Sequence, residues 1–181
     1  MNYKTHLATT FAVSLPYMTS NDALTVGSLS LLAVGAVFPD IDEPNSYIGR
    51  RLTGVSHSFK SIFGHRGLTH SIVGLLLMGA GAYALAEAFG FSENLAFCFC
   101  LGYFAHLVED SFSKKGISWL QPLSKKRFQS GFNLIYYSTG SIVEQLIFIL
   151  SILAILYHFS PLEFGTLLPV SLEGWLSRLF D

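Results

Sequence analysis

Charged side chains are scarce in this sequence. Lys, Arg, Asp and Glu make up 13% of its 181 residues, roughly half the share of an ordinary soluble chain. So few charges leave little to keep a surface wet, and a water-soluble globule is not the expectation. The net charge is −1, and no basic stripe is interleaved with aromatics, so nucleic acid is not an expected partner. Cysteine is nearly absent too. Cys98 and Cys100 both lie in an apolar run, and residues two apart on a helix face different sides. That spacing provides neither a disulfide framework nor a CxxC metal knuckle. There is no internal repeat and no low-complexity tract.

What is abundant is apolar. The chain is 51% hydrophobic, with 16 Phe and 8 Tyr, and its mean hydropathy is +0.48. A membrane-spanning helix needs about 20 mostly apolar residues. Stretches 23–39, 70–90, 92–109 and 140–159 meet or approach that length. A fifth, 5–19, is shorter and more polar. Its core is broken by Thr, His and Pro16, so it reads as a first helix and not as a cleaved signal peptide. Small residues such as Gly35, Gly74 and Gly102 mark positions where helix backbones approach closely in lipid. The expected fold is all-α: an integral membrane bundle of about five helices, with long loops at 40–66 and 110–139. Residues 1–159 form the membrane-embedded domain. Residues 160–181 form a tail, read as a helix at the outer interface.

Threading five spans puts both long loops on one side, and with them ten of the eleven Lys and Arg residues. Arg178 alone falls opposite. The positive-inside rule makes the loop side cytoplasmic, and membrane lipids are the expected surroundings. The same threading puts His6, Asp40, Asp42, His65, His70, His106 and Asp110 near one membrane depth. His106 and Asp110 are four apart and stack on one helix face. Asp40 and Asp42 flank Ile41 just after Pro39, and in an extended segment both carboxylates point the same way. His65 and His70 bracket a turn at Gly67.

Imidazoles and carboxylates together are the ligand set of a transition metal. Zinc is the first expectation, with manganese or iron as alternatives. Seven candidates exceed what one tetrahedral zinc uses, so two or more ions are expected, as in sites that clamp both oxygens of a displacement. Asp40, Asp42 or Asp110 is the candidate to orient or deprotonate a water. Arg66, Arg50 and Arg51 are candidates to hold phosphate oxygens. Glu144, at the start of the last apolar run, is a candidate partner or general base. Glu109 is expected to point elsewhere, and His57 and His158 are given no role.

The ordered set "FPDIDEPNSYIGRR", "HRGLTHS" and "GYFAHLVEDSFSKKGISWLQPL", with His6 before it, resembles the YdjM-like family of bacterial inner-membrane proteins. That family is described as LexA-regulated, membrane-bound, metal-dependent hydrolases, and the resemblance covers most of residues 1–145. The family is in turn distantly similar to the zinc-dependent phospholipase C and nuclease superfamily. The resemblance implies an inner-membrane enzyme holding metal on the seven residues named above, and it implies no particular substrate.

Three readings follow. The first is a metal-dependent hydrolase cutting a phosphoester of a lipid or amphiphile from the cytoplasmic side. The second is a metal carrier or sensor with the same ligands and no hydrolysis. Carriers place ligands near the bilayer midplane, whereas these lie at helix ends. The third is a structural protein whose polar cluster ties helices together and binds no metal. Nothing in the sequence sets an oligomeric state.

Overall fold

The computed structural model describes residues 1–54, 56–58 and 67–160. Five long helices organise them: α1 (Tyr3–Ser20), α2 (Val26–Val37), α3 (Ile72–Phe89), α4 (Glu93–Ser111) and α5 (Ile142–His158). Each starts where a polar side chain can accept from a free backbone N–H. Asn2 caps α1, Thr25 α2, Ser71 α3, Ser92 α4 and Ser141 α5. Gly90, at φ 68°, ends α3 in the left-handed region where glycine is favoured. The fold is all-α, and among the described residues β structure is limited to isolated bridges.

Two short 3-10 turns matter most for the site. Phe38–Asp42 follows α2, and Leu68–His70 precedes α3. The apolar run 23–39 yields only 12 residues of α-helix, because Pro39 lacks the N–H needed to continue it. Asp40 and Asp42 therefore sit on a tight turn instead of the extended segment expected. With about three residues per turn, positions two apart point to different sides.

α2 and α4 are packed backbone to backbone. A Cβ on Gly35 would lie 2.1 Å from the Phe99 carbonyl oxygen, and one on Gly102 would lie 2.2 Å from that of Leu32. Only glycine permits this approach. Tyr103 and Leu107 on α4 are fully buried and pack with Phe99 and Ile117. α5 lies against α1, where Thr9 Oγ1 and Ser151 Oγ are 3.2 Å apart.

The outer faces of α3 and α5 are apolar and unburied, as at Leu76 and Leu85 on α3 and Leu146, Leu150 and Leu153 on α5. Of the described helices, α3 alone is both long and apolar enough to cross a bilayer; α5 is apolar but one residue short of that length. α2 extends roughly 18 Å, against a hydrocarbon core of about 30 Å. The expected tail beyond residue 160 lies outside the described residues, as do His65 and Arg66.

Candidate metal centre

Four helix ends meet at one place: the start of α1, the turn after α2, the turn before α3 and the end of α4. They contribute His6, Asp40, His70, His106 and Asp110. The histidine rings are nearly in contact. Those of His6 and His106 stack with centroids 3.9 Å apart, and those of His70 and His106 lie 5.4 Å apart. His6, His70, His106 and Asp110 are buried, while Asp40 retains partial exposure.

Each imidazole is held by its Nδ1 atom. His6 Nδ1 is hydrogen-bonded to Glu109 Oε2, and Glu109 is steadied by the Thr10 hydroxyl, which donates at 3.1 Å. His106 Nδ1 lies 2.8 Å from the Ala36 carbonyl oxygen and donates to it. His70 Nδ1 has Thr69 Oγ1 at 3.2 Å and Asp42 Oδ2 at 3.5 Å. An oxygen on Nδ1 fixes the tautomer and directs the Nε2 lone pair outward, the support that metal-binding histidines have.

The three Nε2 atoms are buried, with no hydrogen-bond partner among the described residues. Leaving such groups unsatisfied costs about 1–3 kcal/mol each, so their convergence calls for an explanation. His6 Nε2 is 3.5 Å from Asp110 Oδ1. His70 Nε2 is 3.5 Å from Asp40 Oδ1 and 3.8 Å from Asp110 Oδ2. His106 Nε2 is 3.8 Å from Asp40 Oδ1. Two ligand sets result, His6–His106–Asp110 and Asp40–His70–His106. Within each, the ligand atoms lie within 4.8 Å of one another, and His106 belongs to both. Two imidazoles and a carboxylate per set suit zinc or a similar divalent ion, so the residues fit a metal.

The remaining residues expected at the site are placed differently. Asp42 is behind His70, where it accepts from Thr69 Oγ1 at 2.6 Å and from the Gly67 N–H at 3.2 Å. The 3-10 turn is the reason, since Asp40 and Asp42 reach opposite nitrogens of the same ring. Glu144 is buried with its carboxylate engaged by the backbone N–H groups of Asn2 and Gly140. It ties the start of α5 to the start of α1, four residues before His6. Arg50 is exposed, and Arg51 lies over the Tyr47 ring, 3.7 Å from its centroid. His158 contacts Thr19 at the opposite end of α1.

Glu109, expected to point elsewhere, instead reaches the cluster at the back of His6. Its spacing of three from His106 puts both on one side of α4, which is the signal in the sequence for its part. Tyr137 is another unforeseen participant. Its hydroxyl is within hydrogen-bond distance of Asp110 Oδ1 (3.0 Å) and of the Glu109 carbonyl oxygen (3.1 Å).

Charge at the turns is strongly coupled. Burial alone would raise the Asp40 carboxyl, but His70 and His106 hold it well below the usual range. Asp42 is likewise lowered against the effect of burial, by His70, Thr69 and the Gly67 N–H. Burial would lower His70, but the two aspartates outweigh it and raise the imidazole to about 9.

The profile of the family described as YdjM inner membrane protein matches residues 1–167. The chain is 35% identical over 133 residues to protein YvsG of Bacillus subtilis (strain 168), a match covering 74% of this chain and 78% of that protein. It is 33% identical over 87 residues to inner membrane protein YdjM of Escherichia coli (strain K12), covering 48% of this chain and 44% of that protein. The second match thus spans less than half of the relative. No solved structure matches the chain.

Proposed function

From the premise that the chain belongs to the YdjM inner membrane protein family, we propose that it is a membrane-bound, metal-dependent hydrolase acting on a phosphoester. One observation carries this reading. Three buried imidazole nitrogens without hydrogen-bond partners among the described residues converge on two carboxylates, and each ring is braced from behind.

His6, His106 and Asp110, or Asp40, His70 and His106, would hold an ion; the single lone pair on His106 Nε2 would serve one ion at a time. A bound divalent ion supplies positive charge to polarise a phosphoryl oxygen and to acidify a water. The protein residues do the rest. Glu109, Asp42 and the Ala36 carbonyl keep the imidazoles in the tautomer a ligand needs. Tyr137 holds Asp110. Asp40 is the cluster's carboxylate with access to the surface, and it can accept a hydrogen bond from an incoming water and so orient it. Glu144 acts at one remove, by fixing the end of α1 that carries His6.

The proposal extends to placement. The helices thread the inner membrane several times, about five if the shorter ones are completed by flanking residues. The cluster would face the cytoplasm, a placement supported by the Lys and Arg distribution. A reporter fused after residue 125 should read as cytoplasmic, and a periplasmic signal would refute the topology.

The deciding experiment is elemental analysis of the purified full chain, followed by assays on a phosphomonoester, a phosphodiester and a diacyl phospholipid with zinc and then manganese. Asp110→Asn and His106→Ala should each lose metal and hydrolysis while the protein stays inserted. A parent protein free of metal after zinc loading would overturn the reading. Metal-dependent flux in vesicles without hydrolysis would replace it by a carrier.

A further inference from the structure

We propose that the cleft beside Asp40 is a phosphate-binding site, in which Lys114, Lys115 and Arg127 hold an oxyanion against the His/Asp cluster. This rests on the hydrolase reading for its use, and on a separate part of the chain for its evidence. The cleft has a volume of about 340 Å³, and Ser138 and Thr139 also line it. It has two physical links to the cluster. Asp40 lines it directly, and Tyr137, in its wall, is hydrogen-bonded to Asp110.

The cationic wall is built by the backbone. The Lys114 N–H donates to the Tyr137 carbonyl at 2.9 Å, and Ile117 and Phe128 exchange N–H···O bonds of 3.1 and 2.8 Å. Those bonds clamp the segment carrying Lys115 to the segment carrying Arg127. Gly116 makes the clamp possible. Its φ is +59°, and a Cβ there would lie 2.3 Å from the Phe128 carbonyl oxygen, so a side chain would force the strands of the loop apart. Three cations held in one small cleft repel one another. Among the described residues none of them is in an ion pair, unlike Asp40 at the cleft's inner end. Glu43, on the same rim, receives the Asn45 N–H at 3.1 Å.

A guanidinium with two ammonium groups and two hydroxyls is a donor set for a phosphate. Its inner end opens on the carboxylate shared with the metal ligands, which would put the phosphorus next to the reacting centre. Of the arginines expected for this task from sequence, Arg50 and Arg51 do not line the cleft, and Arg66 lies outside the described residues. Exposed apolar side chains in the same loop, among them Leu123 (84% exposed) and Leu134 (86%), favour a phosphate carried by a lipid over one free in water.

The test is a calorimetric titration of the detergent-purified full chain, with and without zinc. The probes are inorganic phosphate, glycerol 3-phosphate and dihexanoyl phosphatidic acid. The parent is compared with Lys114→Gln/Lys115→Gln/Arg127→Gln, with the single variant Arg127→Gln, and with Lys125→Gln/Lys126→Gln, which changes cations of the same loop outside the cleft. All these side chains are exposed, so helical content should be unchanged. The triple variant should weaken binding by about tenfold or more, the single variant by less, and the control pair not at all. Tighter binding of the phosphatidic acid identifies a lipid phosphate; equal binding of both esters identifies the phosphate alone. The proposal is overturned if the triple variant binds as the parent does, or if the parent binds no probe. Metal-dependent hydrolysis that the triple variant leaves intact would sink the cleft and spare the hydrolase reading. Phosphate binding lost in the triple variant, in a parent that takes up no zinc, would do the reverse.

Discussion

Replacing Gly35 by Ala should loosen the centre from a distance. The new Cβ would sit 2.1 Å from the Phe99 carbonyl oxygen, where ordinary contact begins at 3.4 Å. α2 and α4 must then separate by roughly 1.3 Å, a shift of the kind that overpacking forces at a cost of about 1–3 kcal/mol. Alanine recovers about 1 kcal/mol through its better helix propensity, which leaves a net loss of up to about 2 kcal/mol. The neighbouring Ala36 carbonyl is the one that holds His106 Nδ1 at 2.8 Å. Moved by a similar amount, it leaves hydrogen-bond reach, and His106 is freed to turn. Gly81→Ala on α3 is the control, because nothing lies within 4 Å of a Cβ there. Thermal unfolding in detergent, followed by circular dichroism, should show Gly35→Ala below the parent and Gly81→Ala at or above it. Zinc affinity should fall in the first and hold in the second. If both variants gain stability alike, the backbone contact between α2 and α4 is not present.

Tyr103→Phe removes the hydroxyl that donates to the Thr69 carbonyl at 2.7 Å inside the core, and should cost about 1–3 kcal/mol; an unchanged unfolding midpoint would contradict it. Glu109→Gln keeps the shape behind His6 but removes the charge, so zinc affinity measured against a chromophoric chelator should drop about tenfold; equal affinity would remove Glu109 from the site. Without metal, His70 keeps its proton up to about pH 9, and an ion must displace that proton. Zinc affinity should therefore climb from pH 7 towards pH 9, by about tenfold per unit for each proton released. A flat profile would show that His70 does not bind the ion.

Much of this site was legible because its residues recur at helix ends. The turn chemistry of Pro39 and the spacing of His106 and Asp110 both point to that region. Asp40 and Asp42 looked equivalent in sequence, and only the pitch of the 3-10 turn separates a carboxylate in front of His70 from one behind it. Glu144 is a buried carboxylate at the right end of its helix, but its oxygens are taken up by backbone N–H groups, which no side-chain pattern reveals. The cations of residues 114–127 read as a topology signal, since the bond pairing Ile117 with Phe128 leaves no periodic trace. The span 23–39 was overestimated because Pro39 ends α2 early, whereas the first helix, expected over 5–19, runs over Tyr3–Ser20 with Pro16 inside it.

The candidate ligands His6, Asp40, His70, His106 and Asp110 are far apart along the chain, so the order of synthesis governs when they can meet. A nascent chain that has reached the end of α3 holds His6, Asp40 and His70, but lacks the imidazole common to both candidate ligand sets. Until α4 arrives with His106 and Asp110, neither set is complete and α1 has no ligand partner across the bundle. An ion captured then would clasp the first helix to the fourth, in the manner of a fastener and not a nucleus, with α5 still to pack against α1.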